Sequence, residues 1–368
     1  MSHAHEYYAV TPPGLEAVAA AELAELAAHD IVPDRGGVAF AGSEDLMARV
    51  NLRARTLTRV LMRLDAFKAL SFPELYNKCR RNDWSRFLLP GAPVSVQAAC
   101  HASRLMHSGR VAETVLAAIA DRLGTPPADR AAGSQQVFVR IDRDRVTLSL
   151  DTSGERLDRR GYRLHPGHAP LRETIAAALL RWAEWDGQSA LMVPMCGSGT
   201  LAIEAAWIAM HRAPNLDHPF PFPAWPSLSA RRWQRALDKA RAMQRPATAP
   251  ILASDIDPTV LAAATENAVR AGVQQAIGFS VADALSLEPA ADTGLIVCNP
   301  PYGQRLGRDV RGLYRDLGGV LTSRFGGWRR IVLVPDVACE HALGMAVRRR
   351  LGFRHGGRRI TALELAST

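Results

Sequence analysis

Cys298-Asn299-Pro300-Pro301-Tyr302-Gly303 follows directly on the apolar run Gly294-Leu-Ile-Val. Its residue types suit chemistry on a flat, amino-bearing ring. Two successive prolines remove backbone donors and hold the chain extended. The Asn299 side-chain carbonyl and the Pro300 carbonyl are then fixed acceptors, with Tyr302 beside them as a stacking surface. Acceptors next to an aromatic plane fit a base that carries an exocyclic NH2 group. The same residues could also do no more than close a strand with a turn, so the other strand ends must decide.

In an open α/β sheet, ligands bind beyond the carboxyl ends of the strands. Three further ends carry informative residues. After the apolar stretch 190–193 comes Pro194-Met-Cys196-Gly197-Ser198-Gly199-Thr200-Leu-Ala202, which contains G-x-G-x-x-A. Glycines there let backbone approach a ligand and leave helix N–H groups free to face it. After Ile251-Leu-Ala-Ser comes Asp255, an acid placed to meet ribose hydroxyls, with Ile256 next to it. After Ile277-Gly-Phe-Ser-Val281 comes Asp283, able to accept from an adenine amino group, with Ala284 alongside. Each acid alone reads more readily as a helix cap or turn residue than as a ligand contact. Four such ends in one sheet point to a nucleotide-like ligand.

The elements that must position these residues alternate. A helix from Leu171 to about Trp185 precedes the strand 190–193, a helix 201–210 follows the glycine turn, and strands and helices then alternate to closing strands at Phe353 and 360–365. That is the pattern of a doubly wound, mostly parallel sheet. A stretch rich in Pro and aromatics, His218-Pro-Phe-Pro-Phe-Pro-Ala-Trp225, interrupts it as an ordered insertion, followed by a polar helix over 230–243.

The first part reads differently. Strands at 7–10, 38–40, 57–65, 94–98, 137–141 and 146–150 mix with helices at 15–29, 43–50, 73–84 and 111–123. The mixture implies an α+β region ending near 155, with the polar segment 151–167 as linker. It contains no nucleophile–base pair and no metal cluster, so binding is the economical role.

Composition sets the outer bounds. A chain of 368 residues, 48% hydrophobic and 22% charged, has ample core for two or three domains. Its net charge of +9 favours a polyanionic partner. Lysine occurs only at Lys68, Lys78 and Lys239, so the basic side chains are almost all arginine, which suits phosphate. Five scattered cysteines without C-x-x-C spacing argue against a disulfide framework and a zinc site. The start of the sequence shows no basic region followed by an apolar core, and the most apolar window, 189–210, is broken by Pro194, Gly197, Gly199 and Glu204. A cytoplasmic protein with no membrane span is expected.

The motifs resemble a known family. His168-Ala-Pro-Leu-Arg-Glu-Thr174, Pro194 to Ala206, Ser254-Asp-Ile-Asp-Pro258 and Asn299-Pro-Pro-Tyr-Gly-Gln-Arg-Leu-Gly307 resemble class I S-adenosylmethionine-dependent methyltransferases. More closely, they are similar to THUMP-domain RNA guanine-N2 methyltransferases of the large-subunit (23S) rRNA. Pro13-Gly-Leu-Glu16, Asn51-Leu-Arg-Ala-Arg-Thr56, Leu75-Tyr76 and Asp83-Trp84 match the ferredoxin-like and THUMP segments. The resemblance implies a ferredoxin-like segment over 1–60, a THUMP-like RNA-binding domain over 61–155 and a Rossmann-like methyltransferase domain over 156–368. It implies S-adenosyl-L-methionine as cofactor, held by Pro194, Cys196, Gly197, Ser198, Gly199, Thr200, Asp255, Ile256, Asp283, Ala284 and Asn299. Catalysis falls to Asn299, Pro300, Pro301 and Tyr302, and no metal is needed.

Where the family usually has Asp, this chain has Val193, and Glu204 is a candidate replacement. Arg80, Arg81, Arg104, Arg110, Arg163 and Arg305 are the candidate RNA contacts; Arg159, Arg160 and Arg348 to Arg350 belong to the same basic set. Alternatives are a tRNA guanine-N2 enzyme, a DNA adenine-N6 enzyme with the same tetrapeptide, and an RNA-binding relative with weakened cofactor binding. A nicotinamide dehydrogenase expects an acid about 20 residues after the glycines, and Asp255 lies far beyond that. The sequence carries no signal for oligomeric state.

Overall fold

The computed structural model of the protein describes residues 4–126, 134–163, 171–301 and 309–366. It divides into two units: Met1–Thr11 with Ala20–Leu157 and Asn215–Lys239, and Pro12–Ala19 with Asp158–Pro214 and Ala240–Thr368.

In the first unit the chain runs β1 (His5–Val10), α1 (Glu16–Glu25), β2 (His29–Asp34), β3 (Gly37–Gly42), α2 (Glu44–Arg53) and β4 (Arg59–Lys68). It continues through α3 (Phe72–Arg80), β5 (Val94–His101), α4 (Ser108–Leu123), β6 (Gln135–Asp142) and β7 (Arg145–Asp151). The strands form one seven-stranded sheet in the order β2-β3-β1-β4-β7-β6-β5. All pairs are antiparallel except β5 with β6. Val137, Val139, Ile141, Val146, Leu148 and Leu150 alternate into the core, so the intervening residues of β6 and β7 lie on the opposite face. Caps fit the expected helix starts: Ser43 Oγ accepts from Leu46 N at 3.2 Å and Ser71 Oγ from Glu74 N at 3.4 Å.

Two expectations for this unit need correcting. The first helix stops at Glu25 rather than near His29, because Ala27 turns left-handed at φ 63° and β2 begins two residues later. The polar segment after β7 does not begin as a loose linker: Asp151, Thr152 and Ser153 are fully buried. Asn51 Nδ2 donates to Thr152 Oγ1 at 2.7 Å, and Ser153 Oγ donates to Asn51 Oδ1 at 2.7 Å. The aromatic insertion also belongs here. Trp225 Nε1 donates to Gln135 Oε1 at 2.8 Å, and Phe222 packs edge-on against Trp225 and against Trp233 of α7 (Ala230–Ala242).

The second unit runs α5 (Glu173–Trp182), β8 (Ala190–Pro194), α6 (Thr200–Ala209), β9 (Ile251–Asp255), α8 (Pro258–Arg270), β10 (Gly278–Val281) and β11 (Gly294–Cys298). It ends with α9 (Val310–Arg324), β12 (Trp328–Val334), α10 (Val337–Ala342), β13 (Val347–His355) and β14 (Arg358–Leu365). The sheet order is β10-β9-β8-β11-β12-β14-β13. It is parallel from β10 to β12, with β14 antiparallel to both β12 and β13. The order reverses between β8 and β11, the topological switch point where α/β sheets take their ligands. Val193 of β8 packs in the core of this unit with Leu191, Ala253 and Leu295. No helix among the described residues is long and apolar enough to cross a membrane.

Candidate active site

The glycine turn after β8 is built by backbone conformations that side chains resist. Met195, Gly197 and Gly199 have φ of 52°, 54° and 77°. A Cβ on Gly199 would stand 3.1 Å from the Cβ of Ala264 in α8, so that glycine lets helix and turn close together. Around Gly197, by contrast, a Cβ would meet nothing within 4 Å. That open side is where a ligand can approach the backbone. The turn is tied down by Cys196 N donating to the Ser254 carbonyl of β9 at 2.9 Å, and by Gly199 N donating to the Cys196 carbonyl at 3.0 Å. Ser198 Oγ and Thr200 Oγ1 lie 3.1 Å apart.

Asp255 ends β9, beside β8 in the sheet. Its Oδ2 accepts from Gly197 N at 3.0 Å and its Oδ1 from Asp257 N at 3.2 Å. An ionised carboxylate has about four lone-pair sites, so each oxygen keeps capacity for a ribose hydroxyl. The Cys196 thiol is pushed up to about 12 by burial, with the Asp255 charge acting in the same direction.

One strand further out, Asp283 caps a short turn by accepting from Leu285 N at 3.0 Å, and Ala284 is buried. Val281 pairs with Asp255 across β10 and β9. Ile256 and Val281 are each 58% exposed, which leaves apolar side chains at the rim next to both acids. These features fit an adenosine-type ligand: acceptors for its hydroxyls and amine, apolar contacts for its ring, open backbone at the glycines.

On the other side of β8, β11 delivers Asn299 and the prolines. Asn299 Oδ1 is buried with no hydrogen-bond partner among the described residues. Pro300 is buried and Pro301 exposed. Tyr302 and Arg305 lie outside the described residues.

Two side chains that hold the glycine turn were not evident from the sequence. Asn267 Nδ2 donates to the Ser198 carbonyl at 3.0 Å, and Arg270 Nη2 donates to Asn267 Oδ1 at 2.6 Å. Arg270 Nε also donates to the Tyr162 carbonyl at 2.8 Å. The available signal was an asparagine in the apolar stripe Leu261, Ala264, Ala268 of α8. Glu204 does not stand in for the missing acid at position 193. It is fully buried and turned to Arg160 Nε at 3.3 Å, with the Tyr162 hydroxyl at 3.5 Å.

The candidate RNA-contacting arginines are dispersed. Arg80 pairs with Asp121 at 3.1 Å, Arg81 is exposed just after α3, and Arg110 lies 4.2 Å over the Phe72 ring. Arg104 is exposed between β5 and α4. Arg163 is a correction: its side chain is 12% exposed and pairs with the nearly buried Glu173, so it is committed to the interior of the second unit. Arg160 is buried in the same way, and Arg349 and Arg350 pair with Glu364 and Glu340.

Comparison with known proteins agrees with this architecture. Residues 6–61 match the RlmL ferredoxin-like domain, 69–151 the THUMP domain, and 160–362 the family described as RMKL-like, methyltransferase domain. A Synechocystis protein named "Putative RNA methyltransferase slr0064" is 35% identical over 367 residues, covering 97% of this chain and 96% of that one. The ribosomal RNA large subunit methyltransferase K/L of Methylococcus capsulatus is 36% identical over 365 residues, covering 95% of this chain and 49% of that one. The chain thus spans about half the length of the K/L relatives it matches. Among solved structures, "SMU.472, a putative methyltransferase complexed with SAH" superposes with a TM-score of 0.92 at 26% identity, over 100% of this chain and 99% of that one. With its ferredoxin-like, THUMP and methyltransferase segments in this order, the chain belongs to the RMKL-like methyltransferase family.

Proposed function

We propose that the protein is an S-adenosylmethionine-dependent RNA methyltransferase acting on the exocyclic N2 amine of a guanine, with 23S ribosomal RNA as substrate. The observation that carries this reading is the buried Oδ1 of Asn299 at the switch point of the sheet, which has no hydrogen-bond partner among the described residues. A buried acceptor left unsatisfied costs about 1–3 kcal/mol. It is retained where a ligand brings the missing donor, and an amine hydrogen is such a donor.

Gly197 and Gly199, with Cys196, Ser198 and Thr200, hold the amino-acid end of the cofactor; Asp255 takes the ribose and Asp283 with Ala284 the adenine. When bound, S-adenosylmethionine supplies an electrophilic methyl group on a positively charged sulfur. Asn299 Oδ1 and the Pro300 carbonyl accept from the two amine hydrogens of the base. That draws the nitrogen lone pair out of conjugation and aims it across the strand ends toward the glycine turn. Positive charge that develops on the amine is stabilised by the same two carbonyl dipoles, and the surplus proton leaves to solvent. Alignment and preorganised dipoles provide most of the rate. Tyr302 stacks on the base, which must leave its own stack to enter.

The choice of RNA is supported by the THUMP segment and by the relatives' names. The choice of guanine N2 follows the resemblance to THUMP-domain guanine-N2 methyltransferases, since the tetrapeptide at Asn299 alone also suits an adenine amine. Incubation with labelled methyl donor and 23S rRNA, tRNA or DNA, followed by nucleoside analysis, tests it. N2-methylguanosine from 23S rRNA is expected; label in tRNA or in DNA adenine would replace the substrate named here. Calorimetry that finds no binding of S-adenosylmethionine at millimolar concentration would sink the enzyme reading altogether.

A further inference from the structure

The face of the first unit's sheet opposite its core carries a cleft of about 480 Å³. Five cations line it, Arg63 and Lys68 from β4, Arg140 from β6, Arg143 from the β6–β7 turn and Arg145 from β7, against one carboxylate, Asp142. The register explains the convergence. Lys68 pairs with Arg145, Arg63 with Ser149 and Arg140 with Thr147, which puts their side chains on one face. Asp142 is already engaged by His101 at 3.1 Å and Arg140 at 3.4 Å. Lys68, Arg143 and Arg145 are exposed and make no ion pair among the described residues. Burial lowers the pKa of Arg63 and the Arg140 charge adds to the effect, while Tyr8 and Glu6 oppose it. Five cations converging on one cleft favour an anion there.

The neighbouring rings sharpen the chemistry. Arg63 lies 4.7 Å over the Tyr8 ring and Arg59 5.3 Å over Phe138, so guanidinium groups already cover these aromatic faces. Among the described residues, the lining of the cleft holds no aromatic side chain for a base to stack on, whereas phosphate oxygens find several N–H donors in a concave, positive setting.

We propose that this cleft binds the phosphodiester backbone of the RNA substrate, positioning the strand without reading its bases. The assignment rests on the RNA reading given under Proposed function. None of the described arginines first marked from the sequence lines it, because the cluster forms only when β4, β6 and β7 come into register.

The test uses the full chain and a fluorescently labelled RNA hairpin, with anisotropy followed across a potassium chloride series. The triple variant Arg140→Gln, Arg143→Gln, Arg145→Gln removes charge from exposed positions. It should bind at least about tenfold more weakly at low salt, with a log Kd against log salt slope shallower by about two. The control Arg231→Gln, Arg235→Gln, Lys239→Gln removes the same charge from the exposed side of α7 and should change affinity less than about threefold. Equal losses in both variants, or wild-type affinity in the first, would overturn the site. Displacement of the hairpin by polyglutamate as effectively as by unlabelled RNA would overturn it in favour of an acidic protein partner. A wild-type chain that binds no RNA at all would instead remove the RNA methyltransferase reading itself.

Discussion

Asn267 donates from Nδ2 to the Ser198 carbonyl at 3.0 Å, so the tip of the glycine turn is anchored by a residue 69 positions further along the chain. Asn267 is 1% exposed, and its own carbonyl is fixed by Arg270 at 2.6 Å. The pair therefore sets the direction of the loop carbonyls and N–H groups without touching the ligand. Asn267→Ala should weaken binding of S-adenosylhomocysteine by about tenfold, the scale of one buried hydrogen bond and the acceptor it leaves behind. The turnover number at saturating cofactor should stay close to wild type. Calorimetry together with a kcat and KM comparison checks both halves; a fall in kcat with unchanged cofactor affinity would contradict the anchoring role.

Cys196 sits in the same turn, and its thiol is pushed up to about 12 by burial, with Asp255 adding to the effect. The thiolate is the reactive form. At pH 8 Cys196 should therefore resist alkylation by iodoacetamide on a timescale that modifies an unstructured cysteine completely. Asp255→Asn removes the smaller of the two causes and should raise the labelling rate only slightly. Peptide mass spectrometry after timed labelling measures this, and rapid modification of Cys196 in the wild type would count against the buried setting.

The parallel strands around this site were legible because each is buried on both faces. β8, β9 and β11 read as short apolar runs closed by Pro, Asp or Asn. β2 left no such trace. His29 to Asp34 pairs with β3 alone and is almost wholly exposed, so no alternation is imposed on it. α10 has only six residues, too few for a period to show. The start of the segment after β7 looked like linker because composition registers polarity and not partners: Val60 N donates to Ser153 Oγ at 2.8 Å and Gln135 Nε2 to the Asp151 carbonyl at 2.8 Å. In the site, strand-end residues could be found from the sequence, whereas the Asn267 anchor depends on a contact that only the fold creates.

Glu364 on β14 is 1% exposed and gathers arginines from two strands. Arg329 Nη2 lies 2.9 Å from Oε1, Arg348 Nη1 at 3.7 Å, and Arg349 Nε pairs with Oε2. Burial alone would raise its pKa, but the hydrogen bonds and charges of Arg329 and Arg349 outweigh burial and hold it below the usual glutamate range. The folded pKa is thus lower than the unfolded one, near 4.3 for glutamate. The stabilisation is present above that unfolded value and is lost as pH falls through the folded pKa. Glu364→Gln should cost about 1 kcal/mol at neutral pH, because the guanidinium groups it leaves without a counter-charge are a third or more exposed and water screens them. The gap between variant and wild type should narrow as pH drops below about 4. Urea unfolding of both proteins across that range checks the sign; a gap that widens in acid would reverse the assignment.

Asn299 separates activity from stability in the opposite sense. Its Oδ1 is buried without a partner among the described residues, so truncating it removes no hydrogen bond made by those residues. Asn299→Ala should leave the melting temperature unchanged or raise it by a degree or two, unlike most buried polar truncations, because no bond to a described residue is lost at Oδ1. Methyl transfer should fall by about 100-fold or more, the scale for removing a preorganised acceptor from a reacting centre. Affinity for S-adenosylhomocysteine should hold within about threefold, since the glycine turn and Asp255 are untouched. Asn299→Asp is the sharper variant. It keeps the shape and the Oδ1 acceptor but replaces the Nδ2 donor with a second acceptor and a negative charge, so activity should survive only in part and should depend on pH. If Asn299→Ala instead unfolds the protein while Asn299→Asp is fully active and stable, the side chain serves the fold and the acceptor role is wrong.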